Sequence, residues 1–164
     1  MDIQKYIDEL GLLPHPEGGY YRKTYRSGDR VDVSGKKRNY CTGIYFLLEK
    51  NNFSALHRIK SDELWHFYAG DPLEVIEIDP KGKLIITTLG EKEKANFQYC
   101  VKAGNWFGSR VKAGGPATVG SLVGCTVSPG FDFEDFEMAS AEKLIAEFPQ
   151  HAQIIKSLCR DTGI

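Results

Sequence analysis

A chain of 164 residues, 41% apolar and 26% charged, has the size and composition of one soluble folded domain with a sizeable core of its own. Its 21 basic and 22 acidic residues leave a net charge of -1, which argues against the basic stripe of a nucleic-acid-binding surface. Four cysteines, Cys41, Cys100, Cys125 and Cys159, form no CxxC pair and read as reduced thiols of a cytoplasmic protein, not as a disulfide frame or zinc site.

Apolar side chains at Ile3, Tyr6, Ile7 and Leu10 make the stripe of an amphipathic helix over about 2–10, which Gly11 stops. The segment lacks the continuous apolar run of a signal peptide or a membrane span, so no membrane role is expected. PHPEGGYY, from Pro14 to Tyr21, is too rich in proline and glycine for regular structure and reads as a shaped loop. Strands are expected near Tyr20–Tyr25, Tyr40–Leu48, Ser54–Ile59, Glu63–Ala69, Leu73–Ile78, Leu84–Leu89, Gln98–Lys102, Asn105–Arg110 and Thr118–Thr126. The basic run Lys36–Arg38 between two of them reads as solvated loop. Many short strands joined by tight turns without intervening helices indicate a sandwich or a barrel, so the fold class is all-β with short terminal helices. At the other end Ser140 caps a helix AEKLIAEF, and Pro149 interrupts it before QHAQIIKSL resumes. With no repeat and no linker, the expectation is a single domain: helix about 2–10, barrel about 20–137, C-terminal helices about 140–158.

The segment FSALHRIKSDELWHFYAGDPLEV carries the chemistry. If the chain reverses at Lys60–Asp62 into a hairpin, His57 pairs with Glu63, Ala55 with Trp65 and Phe53 with Phe67, all on one face. That face is apolar apart from one histidine opposite one carboxylate, a pair costly to bury unless mutually bonded or bound to something. Two readings stand: a structural hydrogen bond that pins the hairpin, or the polar centre of a pocket in a barrel mouth. His66 faces the other side by simple pleating and joins the pair only through a bulge.

The same segment resembles the first cupin motif, with His57, Glu63 and Gly70 in its histidine, glutamate and glycine positions. Ile59 stands where that motif has a second histidine. KAGNWFGSRV resembles the second motif, with Gly104 in place and Phe107 where a histidine is usual. LLPHPEGGYYRKTYRS, DELWHFYAGDPLEV and GCTVSPGFDFEDFE, in that order, are similar to the cupin-5 family (DUF985), similar in fold to sugar-epimerase and germin-type cupins. The resemblance implies a jelly-roll β-barrel, a homodimer and a small-molecule pocket, and it supplies no established activity. Cupin metals usually sit on three histidines and a carboxylate. His57 and Glu63, with His66 as a possible third, give at most a weakly bound divalent metal, and no cofactor is certain.

Without a metal, His57 bonded to Glu63 suits a general base, with Glu63 orienting it and Tyr45, Tyr68 or Tyr99 as candidate acids. Arg22 is the candidate for an anionic group on the ligand. Trp65, Phe67, Trp106 and Phe107 suggest flat walls for a sugar or nucleobase, or simply a packed core. Cys125 and Ser128 are placed at the pocket edge, and His15 in its loop has no fixed destination. The function expected is a small-molecule-binding cupin, either an isomerase, epimerase or lyase on a polar metabolite or a non-catalytic sensor, with a weak metalloenzyme as the third reading.

Overall fold

The computed structural model describes residues 1–92 and 94–160. Helix α1 (Ile3–Leu10) starts where the Asp2 side chain accepts the Lys5 N–H and ends at Gly11, whose φ of 59° lets it cap the last turn. Thirteen strands follow: β1 (Leu13–Pro14), β2 (Tyr20–Arg26), β3 (Arg30–Val33), β4 (Lys36–Asn39), β5 (Thr42–Glu49), β6 (Phe53–Arg58), β7 (Asp62–Gly70), β8 (Leu73–Ile78), β9 (Leu84–Leu89), β10 (Gln98–Val101), β11 (Trp106–Val111), β12 (Gly120–Ser128) and β13 (Glu137–Met138). A 3-10 turn, Phe133–Asp135, precedes β13. Helices α2 (Ala141–Glu147) and α3 (Ala152–Leu158) close the described chain, with Ser140 capping α2 and Pro149 opening the 3-10 turn between them.

The strands form an antiparallel six-stranded sheet, β1-β2-β5-β12-β7-β10, and an antiparallel five-stranded sheet, β13-β6-β11-β8-β9. Their inner faces share one core around Phe46, Trp65, Phe67, Val75, Phe107 and Val123, which makes a jelly-roll barrel. The outer faces are covered differently. Helix α1 lays Ile3, Tyr6, Ile7 and Leu10 on Leu47 and Leu122 of the larger sheet. Helices α2 and α3 lay Leu144, Ile155 and Leu158 on Leu56, Ile76 and Ile78 of the smaller one. No helix among the described residues is long and apolar enough to cross a membrane.

The hairpin expected at Lys60–Asp62 is not formed. β6 lies between β13 and β11, while β7 lies in the other sheet between β12 and β10, so residues 59–61 carry the chain across the barrel. His57 stands opposite Phe107, and Glu63 opposite Val127. A period-two pattern reports which face is buried, not which strand is the partner: of the expected face Ala55, His57, Glu63, Trp65 and Phe67 are buried, whereas Phe53, beyond the register shift in β6, is half-buried against the C-terminal helices under Arg160. A register shift in β6 between His57 and Ser54 brings Ser54 to the same side as His57, while Leu56, on the opposite face, is fully buried under the C-terminal helices.

Lys36–Arg38 is also not solvated loop. It forms β4 of a two-stranded hairpin with β3, and Arg38, only 7% exposed, donates from Nε to Asp135 at 2.7 Å and from Nη2 to Glu134 at 3.0 Å. Lys36 donates to the same Glu134 carboxylate at 3.1 Å. The hairpin thus holds the aromatic segment Phe131–Phe136 over one end of the barrel.

Candidate functional site

At that end a cavity opens between the sheets, with about 640 Å³ of empty space, its open mouth included. Its buried polar residues are Glu17, Thr42, His57 and Glu63, with His15 partly buried beside them. Cys125, Val127 and Ile44 form one wall, and Phe131, Phe133 and Phe136 close over the top. Lys23, Tyr25 and Arg26 of β2 line the rim. The enclosed part admits only a few water-sized groups, so a ligand here is small or reaches inward by one end.

Glu17 reaches the cavity because its loop is stitched to β6. The Ala55 N–H donates to the Glu17 carbonyl at 2.9 Å, and Arg160 donates to the same oxygen from Nε at 3.2 Å. Within the loop the Gly18 N–H donates to the His15 carbonyl at 3.0 Å. Gly18 has a φ of 111°, and a side chain there would place its Cβ 2.2 Å from the Phe53 carbonyl oxygen. The loop therefore lies flat on β6 and aims the Glu17 carboxyl inward, where Oε1 accepts from the Ser54 hydroxyl at 2.9 Å.

The other Glu17 oxygen, Oε2, is 3.1 Å from Nδ1 of His57, which is also 2.7 Å from the Ala55 carbonyl. The Ala55 carbonyl can only accept, so the imidazole proton sits on Nδ1 and the Nε2 lone pair is left unprotonated. Burial holds the His57 pKa below the ordinary 6.5, against the opposing pull of the Glu63 charge and the Ala55 carbonyl, so the ring is neutral at pH 7. Phe107 tilts against the ring at 4.2 Å between centroids, and Phe136 stacks on it at 5.2 Å.

Glu63 makes no ion pair with His57. Burial pushes its pKa up to about 7; the His57 charge opposes this and the Glu17 charge adds to it. The buried Cys125 thiol hydrogen-bonds it, and its own pKa is raised well above the ordinary range, so it is no thiolate nucleophile. Burial also raises Glu17, with His15, Ser54 and Arg160 working against that rise. His15 accepts the Glu17 N–H at Nδ1 and packs edge-on against Tyr21, and burial lowers its pKa.

The structure thus brings three expected residues, His57, Glu63 and Cys125, to one cavity, and it leaves others elsewhere. The orienting role expected of Glu63 falls by geometry to Glu17. Arg22 points to the opposite face of β2, where it caps α1 by donating to the Leu10 carbonyl at 2.8 Å. Trp65 and Phe67 sit in the core between the sheets, the Trp65 Nε1 buried without a hydrogen-bond partner among the described residues. Phe107 backs His57 from that core, whereas Trp106 packs under the C-terminal helices beneath Arg58. Ser128 donates to the Tyr40 carbonyl, away from the cavity lining. His66 cannot join a metal site with Glu63, because it lies on the outer face, bonded to Thr126 and Gln98. Tyr45 and Tyr68 contact each other on that same outer face, and Tyr99 donates to the buried Glu77 away from the cavity.

Comparison with known proteins decides the family. The model described as cupin superfamily (DUF985) matches residues 4–139. The chain belongs to this cupin family. It is 40% identical to protein SO0799 of Shewanella oneidensis, covering 98% of each chain with a TM-score of 0.89. It is 39% identical to a hypothetical protein of Leishmania major, covering 96% of this chain and 98% of that one, with a TM-score of 0.91. The uncharacterized yeast protein YML079W of Saccharomyces cerevisiae is 27% identical over 153 residues, 85% of this chain and 76% of that protein. Oxalate decarboxylase of Bacillus subtilis shares the fold at 18% identity and a TM-score of 0.56, over 88% of this chain and 36% of the decarboxylase.

As a cupin, the chain lacks the donor set of a four-ligand metal centre. Ile59 is 4% exposed in the core, and Phe107 covers His57, so hydrocarbon occupies both places where the motifs have histidines. Among the described residues no three His, Cys, Asp or Glu side chains are grouped to hold a metal ion.

Proposed function

We propose that this cupin is an acid–base enzyme that moves a proton on a small polar metabolite, in a reaction of the isomerase, epimerase or lyase type. The observation that supports this most is the pairing of two groups with opposite roles in one cavity. His57 is neutral with Nδ1–H held by Glu17 and the Ala55 carbonyl, so Nε2 is free to accept a proton from carbon. Glu63, with a pKa of about 7, holds its proton in about half of the molecules at pH 7, and that form serves as donor to the carbanion, enolate or leaving oxygen. Glu17 is then the group that stabilises the imidazolium as it forms, by the 3.1 Å contact to Nδ1. Phe131, Phe133 and Phe136 limit water around the reacting atoms.

The test is solvent deuterium wash-in. Sugars, sugar phosphates and keto or hydroxy acids are incubated with the protein in D₂O and followed by proton NMR. The reading expects one carbon-bound proton of a compound in the panel to exchange with wild type, with the rate falling at least about 10²-fold in His57→Gln. Equal rates for wild type and His57→Gln with every exchanging compound would contradict it.

A further inference from the structure

Resting on that reading of the cavity, we propose that its rim is an anion subsite built from Lys23 and Arg26, and that the ligand is a small planar molecule bearing a carboxylate or phosphate. β2 shifts register against β5 between Lys23 and Tyr25, so Tyr25 lies opposite Gly43 and Arg26 opposite Thr42. Strict alternation would turn Arg26 away from the face of Lys23 and Tyr25; with the shift all three line the mouth.

The two cations are not neutralised. The Lys23 ammonium has no hydrogen bond or ion pair among the described residues. The Arg26 guanidinium donates from Nη1 to the Asn39 side-chain oxygen at 2.6 Å and from Nη2 to the Phe131 carbonyl at 3.3 Å, both uncharged. These contacts fix the fork and leave other N–H groups for a bidentate partner. The nearby cations on β4 differ, since Lys36 and Arg38 are bound by Glu134 and Asp135. Deeper in the cavity burial lowers the pKa of His15 and His57 and raises that of Glu17 and Glu63, which favours the neutral form of each beside the two rim cations. Such a charge balance favours an anion entering from the rim. Between rim and floor the walls are Tyr21, Tyr25, Phe131 and Phe136, which suit a flat body lying between the anionic group and Nε2 of His57.

The probes are benzoate and phenyl phosphate, with uncharged benzamide as the matched control, titrated into the full chain by isothermal calorimetry at low salt. At least one anion is expected to bind tenfold or more tightly than benzamide. Lys23→Met should reduce that preference at least fivefold, with the benzamide affinity and the melting temperature unchanged. His57→Gln should keep the preference. Equal affinities for the three probes, or a preference unchanged in Lys23→Met, would overturn the subsite. Failure of deuterium wash-in with the anion preference intact counts against the acid–base reading alone, whereas wash-in without any anion preference counts against the subsite alone.

Discussion

Glu17 on the loop before β2 places Oε2 3.1 Å from Nδ1 of His57 on β6, and this contact joins the Ala55 carbonyl at 2.7 Å in orienting the buried imidazole. It separates the two glutamates chemically. Burial raises both carboxyls, but Glu17 is tied to the histidine and to the Ser54 hydroxyl, while Glu63 is held by the Cys125 thiol and pushed up to about 7.

That asymmetry has a signature in stability. The Glu63 carboxyl rises from 4.5 to about 7 on folding, so between those values the folded state holds a proton that the unfolded state has released. Stability from this group is full below pH 4.5 and is lost as pH climbs to about 7. At 1.36 kcal/mol per pH unit the loss is about 3 kcal/mol. Glu63→Gln removes it. Urea denaturation at pH 5 and pH 8 should show the variant gaining on wild type by about that amount at the higher pH. Parallel profiles would show that Glu63 ionises normally.

Phe136→Ala should expose His57 to water. The His57 pKa, held down by burial, is expected to rise toward 6.5, and NMR titration of its ring protons reads this directly. Wild type loses stability as pH falls below 6.5, since only the unfolded His57 takes up a proton there; the variant should lose less. An unchanged His57 pKa would mean that Phe136 does not seal the ring.

Gly18→Ala tests the docking of the loop. The added Cβ meets the Phe53 carbonyl at 2.2 Å in a backbone conformation with φ of 111°, so the loop must lift from β6. A cost of roughly 2–3 kcal/mol in chemical denaturation is expected. The Glu17–His57 contact should weaken with it, seen as a changed His57 ring nitrogen shift.

Arg38→Met should free the aromatic closure. Asp135 and Glu134 lose their shared partner, and amide hydrogen exchange across residues 131–138 is expected to accelerate at least tenfold while β5 and β12 stay protected. Uniform protection would show that phenylalanine packing and the bonds from Lys36 and Arg26 hold the segment without Arg38.

Much of the fold was legible. Runs rich in tyrosine, phenylalanine and β-branched residues between turn residues located nine strands, β2 and β5 to β12, but not β3 and β4, and Gly11 and Ser140 behave as the local signals they are. The pairing of β6 was not legible, because a turn between two sheets and a turn within one leave the same alternating pattern. His57 and Glu63 do face one cavity, but across the barrel and not across the hairpin that their spacing suggested, and the place of Glu17 was not legible at all. Its position depends on one backbone bond, Ala55 N–H to its own carbonyl, and on Arg160, far along the chain. The shaped loop PHPEGG was the available signal, but a loop's docking site is a tertiary property. The same holds for Lys36–Arg38, whose partners Glu134 and Asp135 lie at the other end of the barrel sequence. Arg22 and Lys23 show the finest limit: the strand was right, and choosing which face meets the cavity required the position of α1.

In this site His57 is a neutral base whose proton sits on Nδ1, between the Ala55 carbonyl and Glu17. Long-range nitrogen–proton NMR correlation on uniformly ¹⁵N-labelled protein at pH 7, comparing wild type with Glu17→Gln, tests it most directly. The account expects a neutral Nδ1–H tautomer with an unprotonated Nε2 in wild type, and a mixed or shifted pattern in the variant. A protonated imidazolium, or the Nε2–H tautomer unchanged by Glu17→Gln, would contradict it.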